Sequence, residues 1–161
     1  MSFLRFLMLL SLVIWVGGGI LLGAVEAPTV FSILPSRHMA GAIVGRSLTI
    51  FHWMGLISGI IFLISSLAYN QITRGDAKPL ALSHILIVLM LLLTAYSQFG
   101  ITPKMMALRT DMVEVDKVPQ DDPRRIEFNR MHIWSENLEK ATLLIGLGVV
   151  FLLARQLGTS G

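Results

Sequence analysis

The chain has 161 residues, of which 54% are hydrophobic and only 14% charged, and its mean hydropathy is +0.72. Soluble domains carry about a quarter charged residues, so this composition excludes an ordinary soluble fold and leaves an integral membrane protein with lipid as its solvent. The net charge of +3 comes without a basic stripe interleaved with aromatics, which argues against nucleic acid as a partner, and the absence of cysteine excludes disulfides, a thiol nucleophile and any cysteine-based metal site.

Phe6 to Val25 carries no charge, and about 20 apolar residues at about 1.5 Å each match a hydrocarbon core of about 30 Å. Arg5 ahead of an apolar run imitates a signal peptide. The run is long enough to span, however, and Val25-Glu26-Ala27-Pro28 is a poor cleavage site, so a retained first span over about 5–26 is expected. Glu26-Ala27-Pro28 should end or kink it. Ser36 is a candidate N-cap for a second helix, which opens amphipathic and becomes the second span at about 47–71. Asn70 to Lys78 reads as a polar turn centred on Gly75-Asp76. Pro79 suits a helical first turn, and the third span covers about 80–102. Thr102-Pro103 should close or kink that span, Lys104 to Met112 reads as a short amphipathic helix, and 113–123 reads as an acidic, proline-bearing loop. Asp122-Pro123 supplies an N-cap and a first-turn proline for the last helix.

The last span is the informative one. Its uncharged run, Ala141 to Ala154, gives only about 21 Å of helix, short of the roughly 30 Å needed. A span over about 131–155 must therefore draw in Ser135, Glu136, Glu139 and Lys140, groups that are costly in lipid unless paired or turned into the bundle. The expected fold is an all-α, integral membrane four-helix bundle, a single transmembrane domain over 1–161. It would be multi-pass, in a bacterial cytoplasmic membrane, with the bilayer as its first partner. Both termini fall on one side. The other side collects Glu26, His38, Arg46, His52, Lys104 and Arg125 to Lys140. Lys and Arg are more numerous there, but the segments are also much longer, so the positive-inside rule leaves orientation open.

The two halves echo each other. Each has an apolar span, a proline (Pro28, Pro103), an amphipathic stretch, an arginine (Arg46, Arg125), a histidine (His52, His132) and then a tryptophan (Trp53, Trp134). Two helical hairpins in the same orientation imply a pseudo-twofold along the membrane normal, which would set the two histidines at similar depth.

His132, Glu136 and Glu139 stand at i, i+4 and i+7, with Ser135 at i+3, and so share a helix face. Together with His52 they offer two imidazoles and two carboxylates, a set able to ligate Fe, Zn, Cu or Mn. The plainer alternative is a polar network at the helix end that also takes in Arg46, Arg125, Arg130 and Lys140. His52 and His132 alone could serve as axial ligands to a haem b. Phe51, Trp53 and Trp134 would then line its edge, although such aromatics equally form an interfacial belt. Met105, Met106 and Met131 raise copper, against the common use of methionine as apolar filler. His38 and His84 read as interfacial. Gly19-x-x-x-Gly23, Gly41-x-x-x-Gly45 and Gly55-x-x-x-Gly59 allow close helix approach, within the bundle or between copies. There is no P-loop or nucleophile elbow.

Arg125-x-x-Phe128-x-x-x-His132-x-x-Ser135, followed by Leu138, resembles the last-helix signature of the transmembrane-protein-205-like family. Trp15-Val16-Gly17-Gly18-Gly19, followed by Pro28 and Phe31, resembles that family's first helix and also the CopD and HemJ membrane proteins. The resemblance implies four spans and no settled biochemical role, with His132 and His52 as the polar centre. The CopD likeness implies copper handling, and the HemJ likeness implies haem binding and protoporphyrinogen oxidation. Glu136 and Glu139 after the histidine depart from a plain bis-histidine haem site. Three classes of function follow: a non-enzymatic accessory, transport or stress-related protein, in a membrane complex or homo-oligomer; a haem or metal redox protein using His52 and His132; and a proton or ion pathway through His132, Glu136 and Glu139.

Overall fold

The computed structural model describes residues 1–112 and 114–158, with side chains as far as Arg155; Val113, at the head of the expected loop, lies outside the described residues. Four helices carry the chain: α1 (Ser2–Ile33), α2 (Arg37–Arg74), α3 (Leu82–Met112) and α4 (Pro123–Gly158). No strand occurs among the described residues. All four helices are long and apolar enough to cross a membrane, and no more than 39% of any helix's most apolar window is buried inside the bundle. The remainder, including Ile64, Leu92 and Leu144, faces outward. In water that much exposed apolar surface would be untenable; facing acyl chains it is the expected outer surface. The chain is thus an all-α, multi-pass membrane bundle. At about 1.5 Å per residue the 38 residues of α2 reach about 57 Å, so the helices project well beyond a hydrocarbon core of about 30 Å.

Neither expected proline break ends its helix. Pro28 and Pro103 lie inside α1 and α3, each two residues after a five-residue π segment, Leu22–Glu26 and Ser97–Ile101. A proline has no N–H to bond back and its ring presses on the carbonyl four residues earlier. Widening the preceding turn to π geometry relieves that pressure and lets the helix continue. In α3 the Thr102 hydroxyl also donates to the Ser97 carbonyl at 3.0 Å. The stretch 104–112 therefore continues α3 rather than forming a separate helix, just as Arg37 to Arg46 is continuous with the second span. The two hairpins share this punctuation.

The helix ends follow local chemistry. Ser36 caps α2, its hydroxyl accepting from the Met39 N–H at 3.3 Å. Gly75 closes α2 with φ +69°, a left-handed conformation suited to glycine. Asp76 accepts from the Lys78 N–H at 3.0 Å, and Pro79 falls in the turn before α3 rather than in its first turn. At the start of α4, Asp122 accepts from the Arg124 backbone N–H at 2.8 Å and from its guanidinium at 2.7 and 3.1 Å. The Arg124 guanidinium, more than the backbone N–H, holds this carboxyl down from 3.8 to about 2. A folded value below the unfolded one stabilises the cap fully above about pH 4, and that contribution is lost as pH falls through about 2. Nuclear magnetic resonance titration of the Asp122 carboxyl should give a midpoint near 2, rising toward 3.8 in Arg124→Gln. Equal midpoints in the two proteins would remove the pairing.

α1 packs on α2, α2 on α3 and α3 on α4, while α4 returns to the middle of α1. The core holds Met8, Leu12, Trp15, Phe51, Phe62, Ile87, Met90 and Val149. Two of the three small-residue faces, Gly41/Gly45 and Gly55/Gly59, receive large side chains, whereas a Cβ on Gly19 would meet Phe51 only at 3.4 Å and one on Gly23 would meet nothing within 4 Å. A Cβ on Gly55 or Gly59 would lie 2.4 and 2.6 Å from the Trp15 indole, one on Gly41 would lie 2.6 Å from the Arg109 guanidinium, and one on Gly18 would lie 3.0 Å from the Phe51 ring. These glycines admit side chains from neighbouring helices of the same chain.

Candidate functional site

His52 sits at the middle of α2, next to the core ring of Phe51, and is completely buried. Its Nδ1 is 2.8 Å from Gln98 Oε1 and its Nε2 is 2.7 Å from Glu139 Oε1. Gln98 belongs to the π segment of α3 and Glu139 to α4, so three helices meet on one imidazole. The Ser97 hydroxyl reaches the same Glu139 oxygen at 3.5 Å. The π segment brings two successive polar side chains, Ser97 and Gln98, to the bundle interior, a recurrent use of such segments at functional sites.

The hydrogen-bond roles are constrained. With Gln98 presenting its carbonyl oxygen, Nδ1 of His52 donates to it, and the proton between Nε2 and Glu139 Oε1 makes the pair either imidazolium with carboxylate or imidazole with carboxylic acid. Turning the Gln98 amide over makes it the donor to Nδ1 and satisfies a neutral imidazole instead. One amide rotation therefore lets the same three residues hold either protonation state of His52 without orphaning a buried polar atom.

Glu139, 24% exposed, is the member that also faces a cavity of about 600 Å³ at the Pro28/Pro103 end of the bundle. Apolar side chains such as Trp15, Leu48 and Phe51 line its depth, and Arg37, Arg109, Arg125 and Lys140 line it elsewhere. The second candidate histidine has different surroundings. His132 is half exposed, stacked on Phe128 at a 6.3 Å centroid separation, with Nε2 3.2 Å from Glu136. Glu136 also takes the Lys140 ammonium at 3.1 Å.

The four candidate ligands thus divide into two pairs, His52 with Glu139 and His132 with Glu136. Among the described residues no three His, Cys, Asp or Glu side chains gather as a metal site. Ser135 is buried at the cavity wall, Arg125 donates to the Val118 carbonyl, and Arg46 is exposed outside both pairs. Trp53 and Trp134 point outward, as an interfacial belt requires, whereas Phe51 is core. His84, near the start of α3, is buried in the protein, with Nε2 2.7 Å from the Ser66 hydroxyl and Nδ1 3.1 Å from the Lys78 carbonyl. Ser97 and Gln98 are the members that sequence reading passed over. The signal was present as an adjacent polar pair inside an otherwise apolar span, which marks a site in membrane helices.

A family model described as a domain of unknown function, DUF4149, matches residues 10–114. The match takes in Trp15, His52, Gln98 and the glycine slots, and it stops before α4, which supplies Glu139 and the Arg125-to-Leu138 motif. No curated protein and no solved structure matches the chain.

Proposed function

We propose, from the premise that the chain belongs to the DUF4149 family of unknown function, that this is a non-enzymatic membrane protein of transport type. Its cavity holds a small molecule, and Glu139 passes a proton between that cavity and His52. The observation that carries this reading is that Glu139 alone among the partners of His52 also lines the cavity. Histidine is suited to proton exchange near neutral pH, and the Gln98 amide can follow either state of the ring. His132 and Glu136, which line the same cavity less than two turns earlier on α4, offer protons a route in from its outer part. With this reading go a bacterial cytoplasmic membrane as location and, for α4, the likeness to transmembrane-protein-205-like proteins.

A haem b or transition-metal role has less support. An axial or metal-bound imidazole needs a free ring nitrogen. Both nitrogens of His52 are engaged, and among the described residues no three His, Cys, Asp or Glu side chains gather around a common point.

The test is proton relaxation in vesicles of neutral lipid carrying the purified protein and an entrapped pH dye. After an imposed pH step, Glu139→Gln, which keeps size and hydrogen bonding, should relax about tenfold or more slowly than wild type. An unchanged rate would reject the proton role.

A further inference from the structure

We infer that the cavity takes an amphipathic anion, with a carboxylate or phosphate head held by Arg109 and one apolar tail laid against Trp15, Leu48 and Phe51. The inference rests on the ligand-holding part of the reading above and not on its proton step.

The first observation is an arginine without a counter-ion. Arg109 lines the cavity half-buried, donates through Nη1 to the Gly41 carbonyl, and lies 5.4 Å from the centroid of the Phe128 ring. No carboxylate is within ion-pair distance of it among the described residues, and its Nε is buried without a partner. A guanidinium so placed has one N–H shut off from water and no countercharge, and a ligand anion supplies what is missing.

The second observation is that this placement is built. Gly41 and Gly45 leave room for the guanidinium on α2, where a Cβ would lie 2.6 and 3.4 Å from it. His38, less than one turn earlier on the same helix, lines the cavity with its Nδ1 also buried and unpartnered. Arg125, on the facing helix, has its guanidinium on the Val118 carbonyl, and among the described residues no carboxylate pairs with that guanidinium. The acidic residues at the cavity do not cancel this charge. Glu139 is committed to His52, Glu136 to His132 and Lys140, and the exposed Asp116 pairs with neither arginine.

The third observation is the division of the lining. The lining joins the cations Arg37, Arg109, Arg125 and Lys140 to apolar side chains that include the buried Trp15 and Phe51 at its depth, and Glu139 reaches it too. A wholly polar anion would leave that depth unsatisfied, and a neutral apolar molecule would leave Arg109 uncompensated. A volume of about 600 Å³ falls in the roughly 300–1,000 Å³ range of pockets for drug-sized molecules, which fits one chain rather than two.

The experiment uses the full chain in nanodiscs of phosphatidylcholine, with 11-bromoundecanoate as probe, its bromine quenching tryptophan fluorescence. Saturable quenching is expected, weakened about tenfold or more in Arg109→Gln and unchanged in Arg46→Gln on the exposed face. The methyl ester of the same acid should not bind saturably to wild type, an arm that survives any folding defect in the variant. Equal binding of acid and ester would overturn the inference, because charge would not be recognised. Binding of inorganic phosphate without binding of bromoundecanoate would also overturn it, by showing a site for soluble anions rather than amphiphiles. If proton relaxation stays sensitive to Glu139→Gln while the acid fails to bind, the ligand class alone is wrong. If the acid binds and relaxation is insensitive, only the proton role falls.

Discussion

Gly55→Ala is expected to destabilise the protein by about 1–3 kcal/mol, the range found for overpacked cores. Helix propensity alone predicts the opposite, since alanine is favoured over glycine in a helix interior by about 1 kcal/mol. The geometry decides between them. The added Cβ would lie 2.4, 2.8 and 2.9 Å from three atoms of the Trp15 indole, a flat ring that is 2% exposed and has no flexible end to move aside. Gly17 supplies the control, because a Cβ there meets nothing within 4 Å, so Gly17→Ala should be neutral or stabilising. Trp15→Leu should be costly by itself through the space it leaves, but in that background Gly55→Ala should become nearly neutral. Unfolding midpoints in detergent would give the cycle. Equal effects of Gly55→Ala with and without Trp15 would show that the slot is not what sets the cost.

That slot also marks where sequence reading reached its limit. The spans were legible because a hydrocarbon core sets a length and a polarity, and the short uncharged run from Ala141 draws Glu136 and Glu139 into the last span. The caps at Ser36, Gly75 and Asp122 were legible because each solves a local hydrogen-bonding problem with its own side chain or backbone. What a glycine face receives was not legible, since it depends on the height of Trp15 and Arg109 on other helices. Pro28 and Pro103 misled for a related reason. A proline disfavours a regular turn, but a π segment just before it lets the helix run on, and no local sequence rule separates a break from that adjustment. The extra residue also rotates the segment, so the third span gave no reason to pair Gln98 with His52. On α4 the i, i+4, i+7 spacing correctly put His132, Glu136 and Glu139 along one side. Spacing carries no information on what the neighbouring helices place at each level, and that is what gives Glu139 to the buried His52 and leaves Glu136 with the half-exposed His132.

The second large effect is expected at that buried set. His52→Leu should cost about 3 kcal/mol, the lower end of the range for breaking a buried ion pair. It removes the partner of Gln98 and of Glu139 together, and the lower end applies because Glu139 can turn toward the cavity it lines. Replacing all three by apolar residues, His52→Leu with Gln98→Leu and Glu139→Leu, should return stability to within about 1 kcal/mol of wild type, because no unpaired group then remains in the interior. The single change would then be worse than the triple. Such an ordering would mean that the polar set is not kept for stability, which an apolar core could supply as well. Vesicles carrying the triple variant would settle what it is kept for. A folded, stable protein that no longer relaxes a pH step would assign the set to proton handling. A triple variant less stable than His52→Leu would instead make the three residues independent structural contributors rather than a coupled set.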